Sequence, residues 1–219
     1  MAAMYQPVAV NAETISPAPF TVTGYESGSS WTVVEIEGGN IGLLNPDIIR
    51  DGDLSGIIDL LLEHAEWTGA EPGIEIVARR VSEESVEFRQ RVHGALVERT
   101  GRVHFNDWGY VSLLRSVLVP PDPAWESPPI REDEAVEIGV EAYRESLELG
   151  DAEVFVYHNP AVMYDVAVPT LYLDLPDDHD GKPGYSWRMY ATAGRSMPHI
   201  VVVDARTGDT KLYATIIER

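Results

Sequence analysis

His199-Ile-Val-Val-Val-Asp-Ala-Arg-Thr-Gly-Asp-Thr-Lys-Leu-Tyr-Ala214 is the stretch on which the fold reading turns. An apolar run enters Asp204-Ala-Arg-Thr-Gly208, and a second run leaves it. Asp and Gly at these offsets are turn chemistry, so the segment predicts an antiparallel hairpin with Asp204 and Thr207 stabilising its turn rather than doing chemistry. Upstream, Ile130-Arg-Glu-Asp-Glu-Ala-Val-Glu-Ile-Gly-Val-Glu-Ala-Tyr143 opens acidic and then repeats apolar residues at helical spacing. It predicts a helix over Arg131–Leu149, closed by Gly150. Apolar runs at Glu153–His158, Met163–Leu175 and Trp187–Thr192 fill the space between helix and hairpin as strands. The last ninety or so residues thus read as one helix followed by an antiparallel meander.

The first half follows a similar plan. Three prolines among the first twenty residues predict a flexible arm over 1–20. Phe20–Tyr25 and Trp31–Glu37 flank Glu26-Ser-Gly-Ser-Ser30 as a hairpin. Ile57, Ile58, Leu61, Leu62 and Ala65 recur at helical spacing, predicting a helix over Asp53–Thr68 that Gly69 ends. Strands follow at Gly73–Val81 and Ser85–Val92, then at Ala95–Phe105 and Gly109–Val119 around an Asn106-Asp-Trp-Gly109 turn. The proline-dense Val119-Pro-Pro-Asp-Pro-Ala-Trp-Glu-Ser-Pro-Pro129 holds neither helix nor ladder bonds and reads as a linker. The expectation is an α+β protein of two helix-plus-antiparallel-meander subdomains, 21–119 and 131–219, joined by a linker at 120–130.

Composition narrows the function classes. Thirty-six acidic residues stand against 16 Lys and Arg, a formal net charge of −20. That field repels phosphate backbones and anionic membranes, which argues against nucleic-acid and membrane partners. It favours a basic partner, or it simply keeps the chain soluble. The 219 residues contain no cysteine, so disulfides, thiolate zinc sites and cysteine nucleophiles are absent. No apolar run approaches bilayer-spanning length. The start has no basic and apolar leader pattern, which points to a cytoplasmic protein or a trimmed secreted form.

Two stretches carry family resemblances. The acidic helix, the strands and the terminal Val203-Asp-Ala-Arg-Thr-Gly208 hairpin resemble the PepSY domain. Val86-Glu-Phe-Arg-Gln-Arg-Val-His-Gly-Ala-Leu-Val97 and Gly101-Arg-Val-His-Phe-Asn-Asp-Trp-Gly-Tyr-Val111 resemble the FTP domain, through Phe88, Gln90, Gly94, Val97, Val103, His104, Asp107, Gly109 and Val111. The chain departs from that pattern at Glu98–Thr100 and Ser112–Leu114. FTP followed by PepSY is the order of thermolysin- and fungalysin-type metalloprotease propeptides, and the two stretches together span about residues 75–219. The resemblance implies cystatin-like α+β folds and a non-catalytic binding protein, an inhibitor or folding chaperone of a metalloprotease or similar partner. No His-Glu-x-x-His zinc motif is present, so the protease itself is not encoded in this chain. The protein would then act in trans, through an edge strand and the tail residues Ile216, Ile217, Glu218 and Arg219.

The residues themselves leave a second reading open. A cofactor-free isomerase or cyclase works with one Asp/His pair in a conical pocket between helix and sheet, and His104, Asp107, His158 and Asp165 are the pair candidates. Discrimination between binder and enzyme rests on whether a roomy pocket holds convergent polar groups with shifted titration. A small-molecule ligand stays open under either reading, and no cofactor is expected. Asp177, Asp178 and Asp180 sit in an acidic Asp174–Gly181 loop with oxygen ligands that suit calcium, but without the late bidentate glutamate of a twelve-residue calcium loop. A solvated connection between strands explains that loop equally.

Overall fold

A computed structural model describes residues 20–27, 31–39, 41–50, 53–120, 128–157, 169–176, 183–194 and 198–214. The expected arm (1–20) falls outside these residues except for Phe20, and so do residues 121–127 of the expected linker (120–130). Strands β1 (Thr21–Ser27) and β2 (Thr32–Glu37) form the first hairpin. Three short helices follow: α1 (Pro46–Arg50), α2 (Ser55–Glu63) and α3 (Ala65–Thr68). The expected single helix over 53–68 is therefore two, divided at His64. The ring of His64 reaches out of the helix line to the Ile41 carbonyl oxygen, 2.5 Å away, so it is a satisfied core histidine. Gly69 ends α3 in the left-handed region, as its sequence position predicts.

The next strands are β3 (Glu75–Ser82), β4 (Ser85–Val92), β5 (Ala95–Val97), β6 (Gly101–Phe105) and β7 (Val111–Leu118). Helix α4 (Glu132–Ser146) precedes β8 (Phe155–Tyr157), β9 (Thr170–Asp174), β10 (Gly184–Thr192), β11 (His199–Asp204) and β12 (Thr210–Ala214). Ala135, Gly139 and Tyr143 are the buried residues of α4 and recur every four positions. Gly139 allows the Met189 thioether to approach, since a Cβ there would sit 3.0 Å from its sulfur. Glu132, Asp133 and Glu134 complement the positive end of the helix dipole.

The α+β expectation is overturned. The described residues build twelve strands into one mixed sheet, and the fold is mostly β rather than two separate helix-plus-meander subdomains. The reason is a parallel pairing between β5 and β9, with Leu96 opposite Tyr172 and Val97 opposite Leu173. Residues 98–100 interrupt what sequence periodicity presents as one strand over Ala95–Phe105. Beyond the interruption β6 pairs with β7, and before it β5 pairs with β9. Both lie along β4, where Phe88 opposes Gly101 and Arg91 opposes Leu96. The sheet forks at this point and carries the hydrogen-bond ladder from one half of the chain into the other. The Glu98 amide extends the ladder by donating to the Leu173 carbonyl at 2.9 Å.

Apolar residues fill four regions, the smallest of them Leu96, Tyr172 and Tyr190. One core packs Ile57, Leu60 and Leu61 of α2 onto Val86, Phe88, Val103 and Leu114 of the sheet. A second, with Trp31, Val92, Val97, Val117 and Leu173, fills the wedge of the fork. The third packs α4 onto Met189, Ala191, Val201 and Val203. Gln90 ties the fork together. Its amide nitrogen donates to the Val119 carbonyl at 2.9 Å, and its carbonyl oxygen accepts from the Val119 amide at 2.7 Å. The terminal turn is held as its sequence predicts. Asp204 Oδ1 accepts from the Arg206 and Thr207 amides, both at 2.8 Å. Burial works to raise the Asp204 pKa, and these amide donors outweigh it and hold it below the ordinary aspartate value.

Candidate functional site

The register decides which side chains share a face. On β10, Arg188 opposes Thr170 of β9 and Val202 of β11, while Tyr190 opposes Ile200. On β12, Lys211 opposes Val202 and Tyr213 opposes Ile200. Alternation therefore puts Tyr172, Arg188, Tyr190, Ile200, Val202, Lys211 and Tyr213 on one face and Met189, Val201 and Val203 under α4 on the other. The first face bears a pocket of about 510 Å³, whose far wall is Arg89 of β4 and Glu98 of the fork. The pocket thus joins residues from both halves of the chain. A smaller hollow of about 290 Å³ lies at the end of β4 and is lined largely by turn residues 69–74 and 93–94.

Charge inside the larger pocket is arranged around Arg188. Its guanidinium pairs with Asp174, stands 3.4 Å from Glu98 Oε1, donates from Nε to Ser186 Oγ at 3.3 Å, and lies 4.5 Å from the Tyr172 ring centre. Arg89 approaches the same ring at 5.5 Å and donates to the Val97 carbonyl at 2.9 Å. Three of the 16 cationic side chains of a strongly acidic protein, Arg89, Arg188 and Lys211, converge here. Lys211 makes no hydrogen bond or ion pair with any described residue. Tyr190 is 1% exposed, and its hydroxyl has no hydrogen-bond partner. Burial, then the neighbouring Tyr157 and Tyr172, push its pKa up, so the hydroxyl keeps its proton and remains a donor.

Two expected results follow from this arrangement. A buried hydroxyl with nothing to bond costs about 1–3 kcal/mol, so Tyr190→Phe raises the stability of the unliganded protein by about 1 kcal/mol, read from chemical denaturation. Asp174 titrates above its ordinary value of 3.8, because burial outweighs the opposing Arg188 charge and the Ser186 hydrogen bond. A raised folded-state pKa means that this group's contribution to stability is complete below the unfolded value. It is lost as pH rises through the folded one. NMR titration of the Asp174 carboxyl checks the direction, and Asp174→Asn flattens that part of the stability profile.

The residues singled out from sequence lie elsewhere. His104 is half-buried on β6, opposite Ser85 and Leu113, and Asp107 is exposed in the turn beyond it. No hydrogen bond or ion pair joins them. Asn106 organises that turn instead, its Oδ1 accepting from the Trp108 amide at 3.0 Å and the Tyr110 amide at 3.1 Å. His158, Asp165, the acidic Asp177, Asp178 and Asp180, and the tail Ile216, Ile217, Glu218 and Arg219 lie outside the described residues. Among the described residues no group of three or more His, Asp or Glu could hold a metal ion, and no helix is long and apolar enough to cross a membrane. The pocket residues were legible only in part. Ser186, Arg188 and Tyr190 alternate with Trp187, Met189 and Ala191, which marks a second, non-core face. What places Arg89 and Glu98 opposite them is the β5–β9 pairing, which no local pattern announces.

No family model matches the chain, and no curated protein matches it at a significant level.

Proposed function

We propose that the protein is a non-catalytic binding protein whose site is the pocket on the open face of β9–β12. The observation that carries this reading is the convergence there of Arg188 with its two carboxylates, the unpaired Lys211 and the buried, unpartnered hydroxyl of Tyr190. Pockets of roughly 300–1,000 Å³ with an apolar bed and a few convergent polar groups suit small organic ligands. Here Ile200 and Val202 supply the bed and the charged groups the orientation. The cluster does not need a reaction to explain it: no nucleophile, base and orienter chain converges among the described pocket residues. A fragment panel mapped by amide chemical shifts tests the assignment. Responses centred on Arg188, Tyr190, Val202 and Tyr213 support it. Binding that leaves these signals unmoved contradicts it.

A second reading is inhibition or assisted folding of a metalloprotease in trans. It is favoured by β12, which closes the sheet path with no further strand beside it among the described residues and leads directly into the chain's tail. Strand addition along such an edge supplies backbone hydrogen bonds to a partner segment. Titration against a thermolysin-like protease tests it, and neither inhibition nor complex formation at high concentration contradicts it.

A further inference from the structure

We infer that the pocket's ligand is a small organic monocarboxylate with a flat apolar body, seated over Ile200 and Val202 with its carboxylate at Lys211 and a second acceptor oxygen, at the far end of the body, at Tyr190. The inference rests on the proposed reading of the pocket as a small-molecule site. Asp174 and Glu98 are both engaged with Arg188, and Arg89 donates to the Val97 carbonyl and lies against the Tyr172 ring. Neither acid therefore calls for a cationic ligand. Two donors face the pocket: the exposed ammonium of Lys211, without a partner among the described residues, and the buried hydroxyl of Tyr190. Both ask for acceptor oxygen, and Lys211 asks for negative charge.

One ammonium left over, rather than an arginine fork, matches a single negative charge better than a phosphate dianion. The spacing sets the body. Strands lie about 4.8 Å apart and alternate residues about 7 Å along a strand, so Tyr190 and Lys211 sit on a diagonal across Val202 and Ile200. A ligand that meets both donors must cover these two aliphatic side chains, and Tyr213, 51% exposed, stands at the rim where a flat ring can lie against it.

The matched pair 6-methoxy-2-naphthoate and 6-methoxy-2-naphthamide, with inorganic phosphate as a third probe, tests this by isothermal titration together with amide shift mapping, the ether oxygen serving as the far acceptor. The expected result is that naphthoate binds at the pocket at least roughly tenfold more tightly than naphthamide, since a charge-assisted contact is lost in the amide. Lys211→Met, a change at an exposed side chain, brings the two affinities together. Tyr190→Phe, which keeps shape, weakens naphthoate binding while the protein remains folded. Equal binding of acid and amide, no change of the acid-to-amide ratio in Lys211→Met, no change of naphthoate affinity in Tyr190→Phe, or phosphate binding as tightly as naphthoate overturns the carboxylate inference alone. Failure of both naphthyl probes to move any pocket signal overturns the carboxylate inference. If the fragment panel also leaves these signals unmoved, the pocket reading falls with it.

Discussion

Gly109→Ala destabilises the protein by about 3–5 kcal/mol, the largest effect expected of any single methyl addition in the described fold. Gly109 has φ of 84°, where an L residue costs about 1–2 kcal/mol on backbone grounds alone. The larger part comes from outside the turn. A Cβ at this position would stand 1.8 Å from the Leu44 carbonyl oxygen. The two segments are also bonded, with the Leu44 amide donating to the Gly109 carbonyl at 2.8 Å. Relief of the clash moves Leu44 backbone and pulls its buried side chain out of the core above α2. Gly94→Ala is the control: its φ of 82° is equally left-handed, yet nothing lies within 4 Å of the added carbon. That variant loses only the backbone cost. Urea denaturation of the pair separates strain from collision, and equal losses in the two variants would contradict the account.

Gln90→Leu is the second large loss, about 2–4 kcal/mol. The side chain is 7% exposed, and both of its polar ends serve Val119, itself 1% exposed. Leucine fits the volume and suits the apolar wedge, but it leaves one backbone N–H and one carbonyl buried and unpaired. Each costs about 1–3 kcal/mol when stripped of its partner. The loss falls at the fork, where β7 leaves β6 and the chain turns away, so amide exchange at Val119 and the neighbouring Trp31–Val33 segment accelerates before the α4 region responds. Uniform acceleration across the sheet would show that Gln90 does not act locally.

Local chemistry was readable from sequence wherever one segment decides it. The Asp204–Gly208 turn and the left-handed cap at Gly69 each follow from a few neighbouring residues and are found where the pattern puts them, while the amphipathic α4 starts as expected but ends at Ser146, before the expected Leu149 and Gly150. The architecture was not readable, because it depends on pairing across distance. Ala95–Phe105 looks like one strand, and only the partner strands reveal the break at residues 98–100. The β5–β9 contact joins segments about 75 positions apart, and a parallel pair leaves no hairpin signature between its strands. The same contact assembles the pocket. Arg188 and Lys211 are ordinary surface-type residues in their own strands. They acquire a role only once the fork brings Arg89 and Glu98 across from them. The Phe88-x-Gln90 pair has a physical reason of its own here: Phe88 fills the core and occupies the space that Gly101 leaves open, and Gln90 clamps Val119.

The pocket as ligand site is tested most directly by filling it. Val202 is half-buried on the open face, between Arg188 and Lys211, so Val202→Trp occupies the bed without touching the α4 core. Thermal unfolding is followed for both proteins with and without a saturating pocket ligand from the fragment panel. The account predicts a ligand-induced rise in Tm for the natural sequence, as mass action requires of anything that binds the folded state alone, and none for the filled variant. An equal rise in both proteins would place the ligand elsewhere and contradict the claim.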